Sequence, residues 1–236
     1  MKTNFFVLFL LLVCQAAFSQ ETIPQRMVTY EIHGTYTRSI HQDQLSNAGS
    51  LGDIMPYYPA AWIMSYNSAE VSTTSNGTPM SAPGDNDILT EQQKNILRTA
   101  DLGSDVVINI IYKTNNSATG DPESRIIHYD VTVVPEIEAA YSSGKEAMNK
   151  YLKEKAIDKL PDSKDNPYQA IVSFTVTEEG KIADTQITKS SGSASTDKLL
   201  LKAITKMPAW KPAQKAKGTK VKQSFEFTVD TGGNGC

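Results

Sequence analysis

Cysteine is almost missing from this chain: of 236 residues, only Cys14 and Cys236 carry a thiol. Two thiols at opposite ends make no cysteine-based metal site, and a single tail thiol closes no internal disulfide once a leader is removed. Histidine is scarce as well. His33, His41 and His128 are scattered, without the His-Glu-x-x-His spacing that holds a catalytic zinc. There is no Gly-x-Ser-x-Gly elbow. "DNDILTE" (85–91) lacks the glycine and the acidic spacing of a calcium loop. The glycines within 232–235 lack the strand-to-helix setting of a phosphate loop. These absences leave no catalytic, metal or cofactor residue to nominate. No basic stretch is interleaved with aromatics, which argues against a nucleic-acid partner.

Long apolar runs are also lacking, apart from Phe5 to Val13 in "MKTNFFVLFLLLVCQAAFSQ". That run is too short to span a bilayer, which takes about 20 residues. With Lys2 before it and the small residues Ala17 and Ser19 after it, it reads as an export leader over 1–19, cleaved before Gln20. An uncleaved anchor, or lipid attachment at Cys14 behind the bulky Val13, are the alternatives. What is present suits a globular protein: 39% hydrophobic and 21% charged residues argue against wholesale disorder. Charge is unevenly divided. Residues 20–142 hold 6 Lys and Arg against 15 Asp and Glu, whereas 143–236 hold 16 against 11. That split predicts two modules with different surfaces.

The first module, 20–134, reads as small and α+β. "MVTYEIHGTYT" (27–37) alternates as a strand, and "AAWIMSYNSAEVST" (60–73) is a second candidate. "SNGTPMSAPGDND" (75–87) is turn-forming. A short helix follows over 89–103, with Thr90 as its cap, Ile96, Leu97 and Ala100 as its buried stripe and Gly103 as its stop. "DVVINIIYK" (105–113) and "RIIHYDVTVV" (125–134) are strong strands joined by a polar loop.

Residues 135–167 form a lead-in helix and loop; "SGKE" predicts a capping box with Ser143 at the cap and Glu146 three residues on. From 168 to 230 the pattern is strand, strand, helix, strand. Val172, Phe174 and Val176 share one strand face, and "EEGK" (178–181) makes the hairpin turn. Ser195 can cap a helix whose Leu200, Ala203, Ile204 and Met207 recur at helical spacing. Its Lys198, Lys202 and Lys206 fall on another face and read as solvated surface. "MPAWKP" (207–212) then breaks the helix at Pro208 and holds Trp210 on a stiff, extended bridge closed by Pro212. Such a small core needs a large cap at its open end, and the prolines reduce the entropy lost in fixing the tryptophan. "KVKQSFEFTVD" (220–230) alternates as a strand with one buried and one wet face. The expected fold is thus α+β, ending in a three-stranded antiparallel sheet with one helix across a face, then a flexible tail at 231–236.

The order of these elements, with "VSFTVTEEGKI" (172–182), "ITKSSGSASTDKLLLKAITKMPAWKP" (187–212) and "KVKQSFEFTV" (220–229), resembles the C-terminal domain of TonB-family energy transducers. The helix–Pro–Trp–Lys–Pro connector resembles versions found in Bacteroidetes, and the likeness extends upstream to about residue 133. It carries no likeness for the first module, whose role stays open. The family's usual membrane anchor and Pro-rich spacer have no counterpart here, and Ala213 and Tyr168 stand where the family often has glycine.

The resemblance implies binding rather than catalysis. An outer-membrane receptor's N-terminal segment, or another envelope protein, is expected to add as a strand along the domain's last strand in the periplasm. Carried onto this sequence, the contact residues are Gln223, Ser224, Phe225, Glu226, Phe227, Thr228 and Val229. Edge-strand addition uses an exposed row of N–H and C=O groups for affinity and alternate side chains for selectivity. The alternatives are self-association through the same sheet, as a homodimer or scaffold, and a last strand already shielded by the first module.

Overall fold

The computed structural model describes residues 28–162 and 166–232. The leader, Cys14, Cys236 and most of the predicted tail lie outside those residues. Among the described residues thirteen strands run in chain order: β1 (Thr29–Gly34), β2 (Ser39–His41), β3 (Ser65–Ser75), β4 (Thr78–Ala82), β5 (Asp105–Asn115), β6 (Pro122–Val134), β7 (Ala140–Tyr141), β8 (Gln169–Val176), β9 (Ile182–Lys189), β10 (Trp210–Lys211), β11 (Ala213–Gln214), β12 (Lys220–Val221) and β13 (Gln223–Asp230). The α-helices are α1 (Gln42–Asn47), α2 (Glu91–Arg98), α3 (Gly144–Lys155) and α4 (Ala194–Thr205).

Alternation along β5 and β6 makes one face of each strand apolar, and the two pair as a long antiparallel hairpin. They centre a five-stranded sheet of order β2-β6-β5-β3-β4, in which only β2 runs parallel to its neighbour. Val71, Ile108 and Ile110 point inward, where Leu51, Ile54 and Leu97 close the core. Thr90 caps α2 in a reciprocal box with Gln93. The Gln93 side chain, 1% exposed, also donates through Nε2 to the Ala69 carbonyl at 2.7 Å. One buried amide thus satisfies both the helix start and the sheet beneath it. The segment expected to be only turn contains β4, an edge strand that tolerates Pro79 because its outer side needs no ladder donor.

The second core is built from β8, β13, α3 and α4: Phe174, Phe227, Leu152, Leu200 and Ile204 are all essentially inaccessible to solvent. Its sheet has four strands, not the three expected, in the order β1-β13-β8-β9, and every pair is antiparallel. The fourth strand, β1, comes from the far end of the chain. Residues 29–34 therefore leave the first module and complete the second, and the sequence from 39 to 134 forms the five-stranded unit.

Three local expectations change. The cap of α4 is Ser193, whose hydroxyl accepts from the Thr196 amide, rather than Ser195. Ser143 makes no side-chain cap bond, because the chain turns with φ +85° at Gly144, the first residue of α3. The last strand is interrupted at Lys222, so β12 pairs with β11 while β13 joins the large sheet.

Candidate functional site

The helix-ending prolines place Trp210 where four pieces of chain meet. Its ring, 5% exposed, lies 5.9 Å from Tyr141 and 5.8 Å from Phe174 edge-on, and 5.3 Å from Phe225 at a tilt. Its indole Nε1–H donates to Met207 Sδ at 3.2 Å. Aromatic edges meeting faces in this way add to the area they bury. The Trp210 amide donates to the Gly180 carbonyl at 2.8 Å, which ties the β8–β9 turn to the connector. Gly180 has φ +74°, and a Cβ there would lie 2.0 Å from the Trp210 carbonyl oxygen. Pro212 sits against the same glycine. Trp210 thus locks the hairpin tip, the lead-in segment and the root of β13 to one another.

Beyond that lock runs β13. Gln223, Phe225, Phe227 and Val229 are buried; Ser224 is exposed, and Glu226 and Thr228 are half-buried. Gln223 is bonded within the chain. Its Oε1 accepts from the Ala139 amide at 2.7 Å and its Nε2 donates to Glu138 at 3.2 Å. Glu138 also accepts from the Tyr36 hydroxyl at 2.7 Å, and burial together with this carboxylate raises the phenol's pKa. Glu136 accepts from the amides of Asp43 and Ala216 at 2.7 and 2.8 Å. These two carboxylates bind the lead-in segment to both units.

The expected free flank of β13 is not free. One side pairs with β8 over eight residues, and the other pairs with β1 in continuous register from Thr29↔Asp230 to Gly34↔Phe225. Ile32 lies opposite Phe227 and Tyr30 opposite Val229, on the core face. Tyr30 donates to the Asn149 carbonyl on α3 at 3.4 Å, and His33 Nε2 lies 3.1 Å from Thr228 Oγ1 on the wet face. β13 is an interior strand, so proline at Phe225 or Phe227 would break a central ladder instead of probing an edge. The open edges of this sheet are β1 and β9. β9 is irregular: its pairing with β8 shifts register twice, and Asp184 holds φ +49°. Bulges and charges of this kind deter strand addition.

The residues that sequence reasoning missed are those of β1. The alternation of "MVTYEIHG" marks a strand but carries no information about its neighbour. The three histidines share no partner: His41 Nδ1 lies against the Pro135 carbonyl, His128 Nδ1 against Asn109 and His33 Nε2 against Thr228. Among the described residues, no group of three or more His, Cys, Asp or Glu could hold a metal ion. Lys202 and Lys206 line a cleft between α3 and α4 with Lys155, Lys159 and Tyr151. No described helix is long and apolar enough to cross a membrane.

Residues 151–229 match the family model described as TonB C terminal. The match begins inside α3 and runs through β8, β9, α4 and the Trp210 connector to the end of β13. It includes neither β1 nor the five-stranded unit. No curated protein and no solved structure matches this chain.

Proposed function

We propose that this chain, whose residues 151–229 form a TonB C-terminal domain, is a periplasmic binding protein that lends the β13 side of its sheet to an extended segment of an envelope partner. The domain itself implies a TonB-related role at the cell envelope. The partner proposed is the N-terminal segment of an outer-membrane TonB-dependent receptor, taken along Gln223–Val229. The observation that carries the reading is β1. A six-residue extended segment from outside the matched domain already runs antiparallel along this flank, so its N–H and C=O groups are set out for a strand. The reading assigns the chain to protein binding, with no catalytic residue and no cofactor.

The test is two-dimensional amide NMR of the chain during titration with synthetic receptor N-terminal segments. Saturable shifts concentrated on 223–229 and on 29–34 are expected. Shifts confined to β9 or to the five-stranded unit, or no shifts at millimolar peptide, would sink the reading. A concentration-dependent dimer without affinity for any receptor segment would replace it with self-association through the same sheet.

A further inference from the structure

We infer that β1 is an exchangeable strand: the β13 flank accepts a partner's extended segment by releasing Thr29–Gly34, and β1 itself describes the segment it accepts. This deepens the strand-binding reading above and rests on it.

Four observations converge. First, β1 is foreign to the domain it completes, since the matched region starts more than a hundred residues downstream. Second, β1 adds no buried side chain to the second core. The largest fully buried side chains there come from β8, β13, α3 and α4, whereas no residue of β1 is buried and Thr29 and Glu31 are exposed. Third, the other edge of the sheet, β9, is bulged and poorly shaped for an incoming strand. Fourth, β1 is short, and its hold is a ladder to one neighbour, the half-buried Tyr30 and Ile32, and the side-chain hydrogen bonds of Tyr30 to Asn149 and His33 to Thr228. A strand held on one side by few buried atoms belongs to the low-stability end of a fold, where local opening is frequent.

The register fixes the chemistry of the replacement. Positions opposite Val229 and Phe227 face the core and take large apolar groups, here Tyr30 and Ile32. Positions opposite Asp230, Thr228 and Glu226 face water. Asp230 and Glu226 disfavour an acid directly opposite them and favour a neutral or basic residue there, as Thr29 and His33 are, whereas the position opposite Thr228 accepts an acid, here Glu31. The partner is therefore an extended segment of another polypeptide with an aromatic and a branched aliphatic residue two apart, antiparallel to β13. Release would also reach the first unit. Only residues 35–38 separate β1 from β2, and within them Tyr36 is bonded to Glu138 and Arg38 is paired with Asp130.

The probe is a labelled peptide VTYEIHG, the chain's own residues 28–34. The host is the full chain with Cys14→Ser and Cys236→Ser, carrying Glu31→Cys and Thr228→Cys at facing register positions, read oxidised and reduced. Saturable binding to the reduced host is expected, with a loss of about tenfold or more on oxidation, because a locked flank is not competent to bind. Ile32→Ala in the host, which weakens β1, should tighten peptide binding several-fold by the same population argument, roughly in proportion to the open fraction. Ile32→Ala in the peptide should weaken it. Equal affinity of the oxidised and reduced hosts would overturn the proposal, as would absence of binding to the reduced host and to its Ile32→Ala form. Exchange of β1 only between copies, seen as a dimer that the peptide does not dissolve, would overturn it too. If the peptide exchanges as expected while no receptor segment binds, the exchange stands and the receptor assignment falls.

Discussion

The two sheets of this molecule solve the same edge problem differently. The five-stranded sheet is made from one continuous stretch and ends in two short strands, β2 and β4, the latter carrying a proline. Those ends are blunt, and nothing in them invites a further strand. The four-stranded sheet is made from a compact β-β-α-β unit plus a strand from the other end of the chain. One of its ends is bulged and the other is borrowed. The contrast teaches that the first sheet ends in boundaries, whereas the second covers one strand with a piece from outside its compact unit; were that piece released, as proposed, the main-chain groups beneath it would be in position to bind.

The largest expected effect separates permanent from borrowed strands. Phe227 is fully buried at the centre of the second sheet, and Phe227→Ala should cost about 3–5 kcal/mol by lost transfer and cavity formation. Tyr30 on β1 is half-buried, and Tyr30→Ala should cost only about 1 kcal/mol. Urea denaturation of both variants reads the difference. A Tyr30→Ala loss as large as that of Phe227→Ala would make β1 an integral strand.

Hairpin tips give the next comparison. Gly77 and Gly180 share φ +74°, but a Cβ at Gly77 meets nothing within 4 Å, whereas one at Gly180 collides with the Trp210 carbonyl. Gly77→Ala should therefore cost about 1 kcal/mol, the conformational penalty alone, and Gly180→Ala roughly 3 kcal/mol once the clash is added. Thermal melts give both values. Tryptophan emission should shift only for Gly180→Ala at the folded baseline, because only that change disturbs the Trp210 seat.

The smallest effect is electrostatic and common to both units. Asp53 has its pKa lowered by the amides of Gly49 and Ser50 and by the Ser50 hydroxyl. For Asp197, burial raises the pKa, but the hydroxyls of Ser190 and Ser191 and the Ser191 amide outweigh it and the net direction is down. A carboxyl with a folded-state pKa below its unfolded value stabilises above the unfolded value, about 3.9 for aspartate, and loses that contribution as pH falls through the folded one. Stability should therefore decline slightly below about pH 4, and less so in Asp53→Asn or Asp197→Asn. A decline that is unchanged in both variants would assign it to other groups. Asp53 is exposed and Asp197 only half-buried, so solvent screening keeps the slope shallow.

Much of the second unit was legible because its signals are local. Alternation at Phe225, Phe227 and Val229, the hairpin turn at 178–181 and the proline stop at Pro208 each need only neighbouring residues to act. Cap choice was harder: "SSGSAS" offers several hydroxyls, and the selection of Ser193 over Ser195 depends on where the chain arrives from β9. At Ser143 the capping pattern was present, but the positive φ of Gly144 turned the backbone away from it. β4 was hidden because "TPMSA" has little strand character, and its pairing with β3 supplies what its composition does not. The candidate site was half legible. The sequence marked β13 as a strand with an apolar face, but not the neighbour on its outer side, since His33 and Thr228 meet across 195 positions.

By itself, then, the sequence determined the β8–β9 hairpin, α4, the apolar alternation of β13, the stiff tryptophan connector and the split of charge between two halves, because periodicity, turn residues and proline act over a few positions. Only the tertiary structure decided that residues 29–34 cross over to flank β13. Two apolar-faced strands will pair wherever geometry brings them together, and nothing in either strand names the other.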